Sequence, residues 1–256
     1  MSGRDYSLAR ITTDAFAALV DGDAPVVVLL PVGSVEPHGP HLTLLTDTVI
    51  SEGAAQLAAD RLAAHGIEPV IAPAIPYGVT DCAAAFKGAV TVAPAALTAY
   101  VRAVIDGWLA GGVAHVCVIN NHLEPDHDTA IRAAIEGIDP HRATVACPLT
   151  RRWARTLSDE FKSGQCHAGQ YETSIVMAAD PDGVNDPIRE TLPEVPVSLS
   201  EKLTAGITDF AAMGMTRAYA GAPARATAAE GADLLDKLAT MIETEVVEGL
   251  GYWGRS

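Results

Sequence analysis

The sequence predicts an α/β fold: a single domain over residues 1–256, built as a three-layer sandwich in which a mostly parallel central sheet is flanked by helices. The first observation is that short, continuously apolar runs alternate with longer segments rich in alanine and leucine, as when strands and covering helices follow one another. The second is that Val26 to Leu30 is apolar on both faces, as strands buried from both sides are. At 256 residues, the chain is long enough to bury one such core.

Four segments have the apolar character of strands: residues 26–33, 69–73, 115–119 and 143–147. The first follows a break at Ala24-Pro25 and ends at Gly33. The second begins and ends with proline, which cannot donate a hydrogen bond to a neighbouring strand. We therefore expect the second strand near an edge of the sheet.

Helices are predicted between and after these strands, over residues 13–19, 49–64, 94–109, 126–136, 151–165, 175–179 and 226–248. Capping and breaking residues support the boundaries. Thr12 or Thr13 can cap the first helix, Gly66 ends the second, and Pro94 suits a first turn. Residues 76–87 have neither a helical nor a strand period, so we expect a loop there that lies over the active site.

The charge balance argues against two classes of partner. The 32 acidic residues outnumber the 17 basic ones, and the formal net charge of −15 repels nucleic-acid phosphates and anionic lipid surfaces. The 4 cysteines form no CxxC pair, and no segment reaches the roughly 18–20 apolar residues of a spanning helix. We therefore expect a cytoplasmic protein that binds neither nucleic acid nor a membrane.

Two short polar motifs follow predicted strands. Glu36 and His38 come after the first strand, and His122 and Glu124 come after the third. Residues two apart in an extended backbone point to the same side. Each glutamate also precedes a proline, which favours extended geometry at the glutamate. Each motif can therefore direct its carboxylate and its imidazole towards one point.

Asp47 completes a set of three carboxylates and two imidazoles at the predicted strand ends. Such a set suits two divalent ions, most simply zinc with zinc or manganese. Two ions about 3.5–4 Å apart can share a bridging hydroxide and polarise a carbonyl oxygen, which is the chemistry of amide hydrolysis. Because Asp47 comes from a separate segment, we expect it to bridge the two ions.

A third motif contains His167 and Glu172, just before or at the start of the helix predicted over residues 175–179. We expect His167 to carry a proton to the leaving nitrogen, since the ordinary pKa of histidine suits proton transfer. Glu172 would lie near the N-terminal end of the helix, as a candidate for supporting the ligands or the substrate.

The run Pro31-Val32-Gly33-Ser34-Val35-Glu36-Pro37-His38-Gly39-Pro40-His41-Leu42, then Thr46-Asp47, His167-Ala168-Gly169 and Glu172-Thr173-Ser174, resembles the creatininase family of metal-dependent amide hydrolases. The likeness covers roughly residues 25–180. It implies a compact α/β fold, often a homohexamer arranged as a trimer of dimers, and a binuclear site that opens C–N bonds of cyclic or linear amides.

By position, the resemblance assigns Glu36 and His122 to one ion, His38 and Glu124 to the other, and Asp47 to both. Glu124, with His167, is also a catalytic candidate. The chain departs from the family elsewhere: Leu123-Glu124-Pro125 stands where many members have Gly-Gly-Asn, Gln170 where they have glutamate, and Phe86-Lys87-Gly88 where Phe-Pro-Gly is common. Ser163 and Gly164 stand near the position of an aspartate found in creatininase itself. We therefore expect a substrate other than creatinine.

Several polar residues have two interpretations. His41 could support the ligands or make a plain turn contact. His127 could approach the site, but we interpret it as the start of a helix. His65, His115 and His141 are predicted to lie at the surface.

Three further side chains are weighed as functional groups. Cys166 is expected to be a packed thiol rather than a reactive one. Lys87 and Trp153 are candidate contacts for a substrate carboxylate or phosphate and for a flat ring, respectively. A solvated charge and a core aromatic are equally compatible with their positions.

The combined features predict a metal-dependent hydrolase of a non-peptide C–N bond, in a cyclic amide or formamide of a small metabolite. One alternative is a peptidase that acts on a short modified peptide. Another is a non-catalytic metal-binding member of the family, which the departures around Lys87 suggest.

Overall fold

The central sheet of the computed structural model, which describes residues 4–251, has four strands: β1 (Val26–Val32), β2 (Glu68–Ile71), β3 (His115–Asn120) and β4 (Ala143–Ala146). The strand order is β2-β1-β3-β4, and every neighbouring pair is parallel. The four predicted strands and the parallel sheet are therefore confirmed. β2 lies at an edge, as its prolines predict.

The helices of the described residues are α1 (Thr13–Val20), α2 (Thr46–Ala64), α3 (Pro94–Ala110), α4 (Pro125–Ile135), α5 (Arg151–Ala154), α6 (Asp159–Ser163), α7 (Gln170–Ala179), α8 (Asp186–Arg189), α9 (Leu199–Thr204), α10 (Phe210–Met213) and α11 (Ala228–Gly249). Short 3-10 turns occur at Leu8–Arg10, Pro181–Gly183 and Pro223–Arg225. None of these helices combines the length and the apolar character that crossing a bilayer requires.

The single long helix predicted over residues 151–165 is wrong. The chain forms two short helices there, α5 and α6, because Ser158 begins a new helix by accepting a hydrogen bond from the backbone N–H of Phe161 at 3.2 Å. The helix predicted over residues 175–179 starts earlier, at Gln170. Glu172 therefore lies within a first helical turn.

Alternating side chains of β1 enter two separate cores. Val27 and Leu29 pack on one face with α2, α7 and α11, whereas Val28 and Leu30 pack on the other face with α3 and α4. The helices on the first face are closely packed, since a Cβ atom added at Gly231 of α11 would lie 1.7 Å from the carbonyl oxygen of Ser174 in α7.

The carboxyl ends of β1 and β3 lie side by side, because Val32 pairs with Asn120 in the parallel register. The residues that follow both strands therefore meet at one edge of the sheet, where sites form in open α/β folds. The irregular segment before α3 crosses this edge: the backbone N–H of Val90 donates to the carbonyl of Val35 at 3.1 Å. The loop expected over residues 76–87 belongs to this segment, and the hydroxyl of its Thr80 donates to Glu36 of the first motif.

Candidate metal centre

Five side chains converge at this edge of the sheet: Glu36 and His38 from the segment after β1, His122 from the segment after β3, and Asp47 and Glu172 from the first turns of α2 and α7. All five are at most 3 % exposed. Burying carboxylates and imidazoles without pairing them is costly. Their proximity therefore calls for a common counter-charge.

The described residues form three groups of possible ligand atoms: one joins Glu36, His38 and His167, and the other two share Asp47. In the first of these two, His122 Nδ1 lies 3.1 Å from Asp47 Oδ2 and 3.4 Å from Glu36 Oε1. In the second, His38 Nε2 lies 3.2 Å from Asp47 Oδ1 and 3.5 Å from Glu172 Oε2. Ligands arranged tetrahedrally around an ion at about 2.0–2.1 Å are roughly 3.3–3.4 Å from one another. Each group could therefore hold one divalent ion, with Asp47 serving both.

The hydrogen bonds of the imidazoles support this interpretation. His38 Nδ1 donates to the carbonyl of Glu36 at 3.2 Å, and His122 Nε2 donates to the carbonyl of Val79 at 2.6 Å. When the ring is neutral, the other nitrogen of each histidine therefore presents a lone pair to the cluster. Among the described residues, His38 Nε2 and Asp47 Oδ2 are buried without a hydrogen-bond partner. Because an unpaired buried polar atom is destabilising, coordination to an ion is the simplest role for both atoms.

The cluster has a strong electrostatic bias. Burial opposes a charge on His38, but Asp47 and Glu172 outweigh that effect and raise the pKa of its imidazole to about 10. Burial would raise the pKa of Glu36, yet the charge of His122 lowers it to about 2. Burial raises the pKa of Glu172 to about 8. The site therefore attracts positive charge, and a metal ion that binds must displace protons.

Glu124 is not part of either ligand group, which differs from the predicted assignment. Its Oε1 accepts a hydrogen bond from the backbone N–H of Asp81 at 3.0 Å, and its Oε2 accepts one from Cys82 at 3.2 Å. Glu172 stands beside His38 and Asp47 in its place. Burial raises the pKa of the Glu124 carboxyl to about 7. Glu124 still lines the cavity at the cluster.

His167 lies where the sequence predicts, next to the ligand groups. Its Nε2 donates to the carbonyl of Pro37 at 3.0 Å, which leaves Nδ1 facing Glu36 Oε1 at 3.7 Å. Burial and the charge of His38 lower the pKa of His167 to about 4. The next residue, Ala168, has a φ of 51°, and its N–H donates to Glu172 at 2.7 Å. This left-handed alanine thus connects the predicted proton carrier to a candidate ligand.

His127 does approach the site, so its interpretation as only a helix start is wrong. The ring is fully buried and packs edge-on against His122 with 4.6 Å between centroids. Its Nδ1 accepts the N–H of Val79, whose carbonyl in turn accepts the N–H of His122. The approach requires glycine at position 78, because a Cβ there would lie 2.4 Å from His127 Nδ1. His127 therefore supports a candidate ligand through one residue, Val79.

His41 is also buried, and its Nε2 lies 2.9 Å from the hydroxyl of Thr173, the neighbour of Glu172. This contact favours the supporting role over a plain turn contact. Thr80, which the sequence did not single out, donates its hydroxyl to Glu36. No local signal could have found Thr80, because it reaches the cluster from a loop distant in sequence.

Two predicted substrate contacts lie elsewhere. The indole N–H of Trp153 donates to Glu245 at 2.7 Å, and the ring belongs to the core between the sheet and α11. Lys87 is exposed and lines neither of the cavities at the site. His115, predicted to lie at the surface, is fully buried between the carbonyl of His141 and the hydroxyl of Thr144.

A narrow cavity of about 30 Å³ lies at the cluster and is lined by every candidate ligand except His38, together with Glu124 and His167. It adjoins a larger cleft of about 720 Å³. The walls common to both spaces are Leu123, Pro125, Cys166, Leu199 and Leu203. Burial raises the pKa of the Cys166 thiol, as expected of a packed rather than a reactive cysteine.

Comparison with known proteins points in one direction. The family model described as "Creatininase: Creatinine amidohydrolase" matches residues 9–246. The mycofactocin precursor peptide peptidase of Mycobacterium tuberculosis is 30% identical over 215 residues, which are 80% of this chain and 78% of that protein. The peptidase of the same name from Mycolicibacterium smegmatis is 29% identical over 222 residues, covering 80% and 78% of the two chains. The solved structure "Creatininase Mn" has a TM-score of 0.74 at 20% identity and covers 96% of this chain and 99% of that one, which shows a common fold.

Proposed function

The chain belongs to the creatininase family of metal-dependent hydrolases, and we propose that it cleaves a C–N bond in a peptide substrate with two divalent ions. Glu36, Asp47 and His122 would hold one ion, and His38, Asp47 and Glu172 the other. Imidazole and carboxylate ligands suit zinc and manganese. When bound, such a pair of ions polarises a substrate carbonyl and lowers the pKa of a water molecule.

The chain supplies the groups that move protons. In hydrolysis, the water oxygen bonds to the carbonyl carbon, the C–N bond breaks, and the nitrogen leaves with a proton. Glu124 and His167 both line the cavity at the cluster. Glu124 is held by two backbone amides and can accept the proton that water loses. His167 presents its unprotonated Nδ1 to the same space, so it can take up the proton that Glu124 has accepted and pass it to the leaving nitrogen.

The volumes of the two spaces favour a peptide as the substrate. The inner cavity, at about 30 Å³, has room for little more than water. The body of a substrate must therefore lie in the cleft of about 720 Å³, a volume typical of sites for larger organic ligands. Phe210 lines the inner cavity and Phe161 lines the cleft. Among the described residues, no tryptophan or tyrosine lines either space to cover a small flat ring. The names of the mycobacterial relatives support the same substrate class.

The test is turnover by protein stripped with a chelator and reloaded with Zn²⁺ or Mn²⁺. The panel contains short linear peptides, lactams and formamides, and mass spectrometry identifies the products. We expect peptides to be hydrolysed only after reloading. Turnover of lactams or formamides alone would instead support the non-peptide prediction. Two bound ions with no hydrolysis across the panel would support a non-catalytic role.

A further inference from the structure

The cleft beside the cluster is cationic although the chain as a whole is acidic, with a formal net charge of −15. Three basic residues, Arg151, Arg155 and Lys162, line its rim, together with one acidic residue, Asp128. The other walls are mostly apolar. The positive charge of the cleft is opposite in sign to the net charge of the chain, so the cleft should attract anions.

The basic residues of the cleft differ in their ion pairs. Lys162 pairs with Asp159 at 2.7 Å, and the charge of Asp128 is met by Arg132 at 2.8 Å. Neither Arg151 nor Arg155 has a carboxylate within ion-pair distance among the described residues. Their two guanidinium charges are therefore uncompensated.

Arg152, which lies between Arg151 and Arg155 in the sequence, does form an ion pair. Arg152 makes a two-pronged ion pair with Glu248 at 2.6 and 2.7 Å. Arg155 is oriented instead by donating its Nε–H to the backbone carbonyl of Arg151 at 3.2 Å. That bond leaves its terminal guanidinium nitrogens free for an incoming ligand.

We propose that this cleft binds an anionic substrate, whose carboxylate lies on Arg151 and Arg155 while its apolar body packs along Leu149, Phe161 and Leu203. Guanidinium groups bind carboxylates by paired, charge-assisted hydrogen bonds. The shared apolar walls lead from this rim to the inner cavity, so a substrate anchored here can extend its C–N bond to the cluster. The inference rests on the proposed function, since it treats the cleft as the substrate site.

The carboxylate can come from the free end of a peptide or from an acidic side chain. Three tetrapeptides of alanine, leucine and phenylalanine, each labelled at the N-terminus with an uncharged fluorophore, distinguish the two sources. The first has a free terminal carboxylate, the second is amidated, and the third is amidated but contains one glutamate. Fluorescence anisotropy measures their affinity for the Asp47→Asn protein, so that binding is read without turnover.

We expect at least one anionic probe to bind roughly tenfold more tightly than the neutral probe. The double variant Arg151→Gln/Arg155→Gln, made in the same background, should remove this difference. The matched control is Arg142→Gln, because Arg142 is exposed, lines neither space and donates to the carbonyl of Leu109. The control should keep the difference.

The tighter anionic probe identifies the source of the carboxylate. In the active protein, the double variant should raise KM for that peptide and leave kcat nearly unchanged. Equal affinity for all three probes, or a preference that survives the double variant, would overturn the inference. Selective binding without hydrolysis of any peptide would overturn the proposed function and leave the anionic site in place.

Discussion

Replacing Asp47 by asparagine perturbs both ligand groups at once. The side chain keeps its size, but Oδ1 beside His38 at 3.2 Å and Oδ2 beside His122 at 3.1 Å no longer carry a charge. The three carboxylates Glu36, Asp47 and Glu172 set a formal charge of −3 against +4 from two divalent ions. The variant reduces that charge to −2. The affinity for both ions should therefore fall together.

The expected loss follows from the number of ligands. Structural zinc sites contribute about 10–16 kcal/mol from about four ligands. One carboxylate then represents about 2.5–4 kcal/mol, or an affinity weaker by roughly 60- to 700-fold. Because Asp47 belongs to both groups, we expect this loss at each ion.

Metal content after equilibrium dialysis, measured by inductively coupled plasma mass spectrometry, tests this prediction. Wild-type protein should keep two ions per chain against a competing chelator that strips Asp47→Asn of both. The matched control is Asp126→Asn, since Asp126 is exposed and belongs to neither ligand group. Full metal content in Asp47→Asn would refute the shared-ligand arrangement, and loss of one ion would show that Asp47 serves a single site.

Three further predictions address other parts of the molecule. His167→Ala should retain both ions and slow turnover roughly 100- to 10,000-fold, because His167 moves protons and is not required by either group that shares Asp47; metal analysis and kcat check this, and loss of an ion would contradict it. Burial lowers the pKa of His115 to about 4 from the ordinary 6.5, so the unfolded chain binds a proton over this range that the folded chain does not. The free energy of unfolding should therefore fall by up to about 3 kcal/mol as pH drops from 6.5 to 4, and chelator-treated His115→Asn should lose that part of the dependence in urea titrations; parallel pH profiles would refute the assignment. Gly231→Ala should destabilise the folded protein by about 3 kcal/mol, because its Cβ would lie 1.7 Å from the Ser174 carbonyl oxygen. Gly107→Ala, whose Cβ would have nothing within 4 Å, should stabilise it by about 0.5–1 kcal/mol. Equal effects of the two changes on the free energy of unfolding would be inconsistent with the close packing of α7 and α11.

The sheet could be predicted from the sequence because its signal is local. Strands buried from both sides are apolar at every position, and the parallel order then brings Glu36, His38 and His122 to one edge without further information. Asp47 follows for the same reason, since it begins a helix that comes after the first strand. These positions depend on short-range patterns and one topological rule.

The position of Glu172, rather than Glu124, among the candidate ligands could not be predicted in the same way. Spacing places Glu124 close to His122, but the backbone amides of Asp81 and Cys82 determine which way its carboxylate points. Those amides come from an irregular loop whose path has no sequence period. Glu172 reaches the cluster only because α7 begins at Gln170, earlier than its apolar residues indicate.

The burial of isolated polar residues also could not be predicted from the sequence. His115 and His127 look like boundary residues in the chain, yet both are fully buried because distant segments close over them. Trp153 and Arg151 illustrate the same limit within one short helix, α5: the first packs into the core, and the second lines the cleft. The predicted helix over residues 151–165 did not reveal this division.

The central claim is that two ions lie on either side of Asp47, and anomalous diffraction from crystals of zinc- or manganese-loaded protein tests it most directly. We expect two anomalous peaks, one contacted by Glu36, Asp47 and His122 and the other by His38, Asp47 and Glu172. A single peak, or an ion coordinated by Glu124 in place of Glu172, would contradict the arrangement from which the proposed hydrolysis follows.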